Sequence, residues 1–192
     1  MMTMEAVSIP HEWVRRLTRA EFLELGDAGI LDDGERVELL YGQVVVMTPP
    51  DPSHEASSWK IGEVLREQLG KRATVRGNLS FAASDESQPV PDILVAARAE
   101  YWDEHPMFAH LIVEVARTSL RKDLGIKRRL YSEVDVEEFW VVDLEGGRVH
   151  VLRDADRHGT WRSQEVAVRG GVLTLAAFPD VQIAVADILP PV

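Results

Sequence analysis

The chain has 192 residues, with 21 Lys and Arg against 32 Asp and Glu, for a formal net charge of −11 and a sequence pI near 5.0. Hydrophobic residues at 45% and charged residues at 28% exclude a collagenous, mucin-like or fully disordered chain, and the length suits one domain with a proper core. The absence of cysteine excludes disulfides, cysteine–zinc sites and thiol nucleophiles. No apolar run reaches the roughly 18 residues of a membrane span, and Met1 to Leu25 hold no unbroken apolar stretch. A cytoplasmic protein without a membrane partner is expected. The acidic balance argues against broad coating of nucleic acid, whose affinity comes from Lys and Arg on phosphates. Any such role needs a local basic patch.

In chain order, residues 1–17 read as an N-terminal arm and 18–192 as a single domain. Thr18 opens a helix: Thr18 with Glu21 fits a capping box, Leu17 with Phe22 fits a hydrophobic staple, and Gly26 or Gly29 ends it. Residues 36–48 (RVELLYGQVVVMT) read as a hairpin turning at Tyr41-Gly42. Pro49, Pro50 and Pro52 stop the sheet. A helix over 54–69 carries Ile61, Val64, Leu65 and Leu69 at helical spacing and stops at Gly70. A strand near 73–82 follows. Residues 90–97 (VPDILVAA), 110–116 (HLIVEVA) and 138–144 (EFWVVDL) are near-continuous apolar runs, the pattern of strands covered on both faces. A helix at about 120–133 separates the last two. Gly146-Gly147 turns into a strand at 148–153, and 161–189 reads as further short strands ending in AVADIL. The sum is a mixed α/β (α+β) protein with a central sheet flanked by helices.

Three features carry chemistry. Glu114 interrupts an apolar strand, so it either points inward, where a carboxylate needs a partner or a metal, or marks an edge strand facing water. Asp92 follows Pro91 and enters a strand, which also describes an ordinary strand start. Asp123, Lys127 and Tyr131 recur every four residues and drift only about 40° per step, so they share one helix face; a solvated face with an Asp–Lys pair has the same spacing. Residues 121–129 carry Arg121, Lys122, Lys127, Arg128 and Arg129 against Asp123 alone. That basic stretch suits an anionic substrate or an ordinary helix surface. Together, a strand-borne Pro-Asp, a strand-borne acid roughly twenty residues later and a following lysine point to metal-assisted phosphodiester hydrolysis. Two carboxylates hold Mg²⁺ while leaving waters in place. The metal acidifies a water and offsets phosphate charge, and a lysine positions that water or stabilises the transition state.

At these residues the chain resembles the Uma-type family of restriction-endonuclease-like proteins, within the PD-(D/E)XK nuclease superfamily. The supporting pieces are Arg36-Val37-Glu38-Leu39-Leu40-Tyr41-Gly42, His54 after a proline-rich turn, Val90-Pro91-Asp92, Leu111-Ile112-Val113-Glu114-Val115, Asp123 with Lys127 and Tyr131, and Glu138-Phe139-Trp140-Val141-Val142-Asp143. The resemblance runs from about Thr18 to Leu189. It implies a restriction-endonuclease-like core, with Asp92 and Glu114 binding Mg²⁺ or Mn²⁺. Glu38 would be a third carboxylate, or an exposed hairpin residue. His54 would start a helix near the site, or lie on the surface; Tyr131 would pack rather than react. The sequence departs from the pattern at Ala116, where the superfamily places lysine two residues after the second acid, so Lys127 has to substitute. Arg117-Thr118-Ser119 replaces a Ser-Pro-Ser-like turn, and Gln43 stands where Glu is usual.

The leading expectation is a Mg²⁺-dependent DNA endonuclease with Asp92, Glu114 and Lys127 as catalytic residues. Arg121, Lys122, Arg128 and Arg129 would contact phosphates, with His54, Asp123 and Tyr131 behind them. The rival is a non-catalytic protein keeping the fold for self-association, regulation or DNA binding. A homodimer is expected, since closed dimers are the commonest assembly and suit two-strand cleavage.

Overall fold

The computed structural model describes residues 13–31, 34–134 and 136–191. Most of the expected arm, residues 1–12, lies outside the described residues. At its end, Leu17 N–H donates to Gly42 O (2.9 Å), which ties the chain to the tip of the first hairpin. No helix among the described residues is long and apolar enough to cross a membrane.

Helix α1 (Arg19–Asp27) starts at the expected cap: Thr18 and Glu21 form the reciprocal capping box. Strands β1 (Val37–Leu40) and β2 (Gln43–Val46) pair antiparallel. Tyr41 and Gly42 both take positive φ, +50° and +75°, as a tight primed turn requires. A Cβ on Gly42 would stand 2.4 Å from the Arg16 Cβ, so this position also needs the missing side chain. Helix α2 (Pro52–Leu69) has Asp51 as its cap and Pro52 in its first turn, and ends at Gly70 with φ +54°.

A six-stranded sheet follows, in the order β3 (Ala73–Gly77), β4 (Ile93–Ala97), β5 (Leu111–Ala116), β6 (Glu138–Asp143), β7 (Arg148–Ala155) and β8 (Trp161–Val168). All neighbours are antiparallel except β5 and β6, which are parallel. A parallel pair needs a crossover. Here it contains α3 (Leu120–Lys122), a π-helical turn at Asp123–Lys127 and α4 (Arg128–Glu133). The helix expected at about 120–133 is present and carries a π-helical turn within it: Arg128 N–H reaches back to Asp123 O, five residues earlier. The tail forms β9 (Val172–Thr174) paired with β10 (Gln182–Ala184), and then a one-turn helix α5 (Val185–Ile188) where a strand-like segment was expected.

Strand alternation splits the core between the two faces of the sheet. Leu111, Val113 and Val115 face α2, α5 and Trp140, while Ile112 and Ala116 face Leu40, Tyr131 and Phe139. All six residues of β5 and of β6 are buried, as their apolar runs implied.

The cap of α2 gives a pH-dependent prediction. Asp51 Oδ1 accepts the Ser53 hydroxyl (2.6 Å), Ser53 N–H (2.9 Å) and His54 N–H (3.3 Å). The Ser53 hydroxyl, then the backbone donors and Arg117, hold its pKa at about 2 against an ordinary 3.8. A depressed carboxyl contributes stability above its unfolded pKa and loses it as pH falls through the folded one. Asp51→Ala is expected to lower the melting temperature at neutral pH. Thermal melts from about pH 4 downward should show the difference from wild type closing toward about pH 2.

Candidate active site

The antiparallel register of β4 and β5 places Ile93 opposite Val113 and Leu94 opposite Ile112. One step further along the same register, Asp92 stands opposite Glu114. Two acids 22 positions apart in the sequence thus become neighbours at one end of the sheet. Alternation along β5 turns Glu114 to the face shared with Ile112 and Ala116, toward the crossover. Because the crossover starts just after β5, it folds back over that face.

The crossover delivers Lys127 and Tyr131 to the same atom. Lys127 Nζ lies 2.9 Å from Glu114 Oε1, and Tyr131 OH donates to that oxygen at 2.7 Å. Lys127 Nζ also lies 3.1 Å from Glu38 Oε2, and Lys122 Nζ donates to Glu38 Oε1 at 3.1 Å. Val90 N–H donates to Glu38 Oε2 at 3.3 Å. Asp92 Oδ2 accepts Val115 N–H at 2.7 Å and faces His54 Nε2 at 3.1 Å. Ser119 Oγ donates to Asp123 Oδ2 at 2.6 Å, whereas Asp123 Oδ1 is buried without a hydrogen-bond partner among the described residues.

The electrostatics follow from crowding charges out of water. Burial pushes the Glu114 carboxyl up to about 8, although Lys127 opposes this; Asp123, Asp92 and Glu38 add to the rise. Burial also raises Asp123. Burial alone would depress Lys127, but Glu114, Glu38 and Asp123 overcome it, so the ammonium stays protonated well above its usual range. Burial disfavours ionised Glu38 too, but Lys127 and Lys122 hold its carboxyl below the ordinary value. Burial and the Glu114 charge raise Tyr131 far above a normal phenol, which keeps it a neutral donor. Burial lowers His54, and Asp92 and Asp51 outweigh it, so the imidazole holds its proton more tightly than usual.

Asp92, Glu114, Asp123, Lys122, Lys127 and His54 line one cleft of about 60 Å³. The three residues spaced by four on the crossover are all buried rather than solvated. One reading requires correction. Glu38 is 0% exposed, not an exposed hairpin residue, because two ammoniums engage its carboxylate. Of the four residues expected on phosphates, only Lys122 lines the cleft. Arg121 is exposed and outside its lining, Arg128 faces a separate depression with His150 and Gln164, and Arg129 Nε donates to Glu133 at 2.8 Å. They diverge because a helix sends successive residues to different faces. Arg36, Asp51, Arg117 and Ser119 line the cleft instead, and Arg117 pairs with Asp51 at 3.3 Å. The signals for them were weak but present: an Asp-Pro helix start, and a polar turn directly after the strand bearing Glu114. Ala116, two residues after Glu114, is sealed in the apolar core; Lys127 supplies an ammonium to Glu114 from the crossover.

A mixed sheet whose only parallel pair is bridged by this crossover, with an acid pair at one end, defines a restriction-endonuclease-like protein. The chain matches the family described as "Uma2: Putative restriction endonuclease" over residues 19–186, and it belongs to that family. Its fold is similar to the crystal structure of "a putative nuclease belonging to DUF820" from Anabaena variabilis ATCC 29413, with a TM-score of 0.73 at 17% identity over 90% of this chain and 97% of that one. No functionally curated protein matches the chain.

Removing the central cation should be costly. Lys127→Met leaves Glu38 and Glu114 buried without their shared ammonium, at an expected loss of about 3–5 kcal/mol in urea unfolding near neutral pH. Adding Glu38→Gln should recover part of that loss, because one fewer buried charge is left short of a partner. A loss below about 1 kcal/mol would show that the cluster neutralises itself by taking up protons.

Proposed function

We propose that the protein is a Mg²⁺- or Mn²⁺-dependent nuclease that hydrolyses phosphodiester bonds of DNA. One observation carries the reading: the carboxylates of Glu38, Asp92, Glu114 and Asp123 gather at one buried site, where Lys122 and Lys127 pair with Glu38 and Glu114 and His54 faces Asp92. Burial raises Glu114, and the charges of Asp123, Asp92 and Glu38 add to the rise. A divalent cation beside Asp92 and Glu114 would relieve it. Among the described residues no three His, Asp or Glu converge as a ready-made metal group. Mg²⁺ does not need one, since one or two protein carboxylates suffice when waters and phosphate fill the remaining positions. Asp123 Oδ1, buried and unpartnered among the described residues, offers a further oxygen in the cleft lining. Glu38 is left out of the ligand set because Lys122, Lys127 and Val90 N–H already take its oxygens.

Bound there, the cation would acidify a water and offset charge developing on the phosphate. The chain's own residues do the rest. Lys127 stays protonated, so it acts as a fixed donor that orients the attacking water or stabilises negative charge, not as a base. Tyr131 fixes one oxygen of Glu114, and His54 with Val115 N–H fixes one oxygen of Asp92. Arg36, Arg117 and Lys122 at the cleft offer the local positive charge that an acidic protein needs to approach a polyanion.

Calorimetric titration with Mg²⁺ and Mn²⁺ tests the site. Wild type should bind, and Glu114→Gln or Asp92→Ala should weaken binding by about 10–100-fold or more. The same substitutions should abolish cleavage of DNA substrates. Binding with no product on any substrate would favour the rival reading, a nuclease fold kept for regulation or DNA binding. Absence of metal binding both without and with DNA would overturn the enzyme reading.

A further inference from the structure

The acid pair does not account for the groove next to it. A second cavity of about 410 Å³, within the size range of small-molecule sites, shares Arg36, Pro50, His54 and Asp92 with the catalytic cleft and continues past Ser58, Trp59, Arg66 and Asn78. Three of its features have no role in the acid–lysine cluster. Ser58 is only 5% exposed, yet its hydroxyl is buried without a hydrogen-bond partner among the described residues, as is His54 Nδ1, one helical turn earlier on α2. Burying such atoms unpaired costs free energy unless a ligand or water completes them. Trp59 is 64% exposed, a large apolar face left in solvent on the groove wall. The Arg66 guanidinium lies over Gly62 and Gly77, where added Cβ atoms would stand 2.9 Å and 3.8 Å from it; its ion pair with Glu63 is long, at 3.4 Å.

An aromatic face, two unsatisfied polar atoms and a seated guanidinium make the three parts of a nucleotide site: a stacking platform, partners for a polar edge, and charge for a phosphate. Within an intact duplex both faces of a base are covered by its neighbours. Trp59 can therefore accept only a base that is single-stranded or turned out of the stack. The chain's net charge of −11 also disfavours long duplex contacts, which need many neutralised phosphates.

We infer that this groove binds the nucleotide adjoining the cleaved phosphate, with its base stacked on Trp59, and that the substrate is DNA with unpaired bases rather than continuous duplex. The inference rests on the nuclease reading for the position of the cleaved phosphate, and on the groove alone for base stacking.

The test uses a single-stranded DNA of about ten nucleotides carrying 2-aminopurine. Binding is followed by the probe's fluorescence in EDTA, so that no cleavage intervenes. Wild type should quench the probe and prefer the single strand to a blunt duplex of the same sequence. Trp59→Ala should weaken binding about tenfold or more, as loss of one stacking platform does, and Trp59→Phe should restore most of it. Trp59 is exposed, so neither change threatens the fold. Cleavage with Mn²⁺ is measured separately. Cleavage with equal affinity for wild type and Trp59→Ala overturns the groove and leaves the nuclease standing. Trp59-dependent quenching without cleavage does the reverse. Failure of wild type to bind the single strand, or tighter binding of the blunt duplex, also overturns the groove.

Discussion

The structure is organised around one buried cation. Lys127 is 1% exposed, and its ammonium has left water for a pocket of carboxylates. An ammonium in a low-dielectric interior is costly unless paired with good geometry. Its partners come from distant parts of the chain: Glu38 from the first hairpin and Glu114 from the centre of the sheet. Satisfying Lys127 therefore requires the hairpin, the central strand and the crossover to be in place together. Buried ion clusters of this kind often add little net stability compared with an apolar core. Their presence here, lining a cleft, fits retention for chemistry more than for stability.

The same constraint explains the shape of the crossover. A regular α-helix would put Asp123 and Lys127 on one face, but the turn between them is widened, with a backbone hydrogen bond spanning five residues. Such turns cost regularity and are frequent at functional sites. Both residues end up buried beside the strand terminus. Each acid is then held by a second contact: Asp92 by Val115 N–H and His54, Glu114 by Tyr131, and Asp123 by Ser119. Groups held this way need little reorganisation when charge develops near them, which is the condition for electrostatic catalysis.

The surface around the cleft bears on how an acidic protein would meet the polyanionic substrate proposed for it. Arg36, Arg117 and Lys122 line the cleft, and Arg66 lines the groove beyond it. Local charge of this kind supports a short contact with a few phosphates rather than binding along a duplex. The exposed indole of Trp59 on the adjoining groove agrees with that economy, because stacking supplies affinity without further charge.

Much of this was legible in the chain itself. Apolar runs located the buried strands, Thr18 with Glu21 marked a helix start, and Tyr41-Gly42 marked a turn, because periodicity and backbone preference are local properties. The four-residue spacing of Asp123, Lys127 and Tyr131 placed them on one face, and a carboxylate inside an apolar strand singled out Glu114. What the sequence could not determine was which polar residues meet. Glu38 read more readily as a solvent-facing hairpin residue, since its burial is tolerable only beside the lysines of the crossover. Arg128 and Arg129 looked equivalent to Lys122, since a charge run does not say which side of the helix faces the cleft. Arg117 and Asp51, 66 positions apart in the sequence, become partners only when the start of α2 meets the end of β5. Secondary structure follows from neighbours within a few residues. The fate of a charged side chain depends on partners brought by long-range strand pairing, and only the tertiary structure decides those.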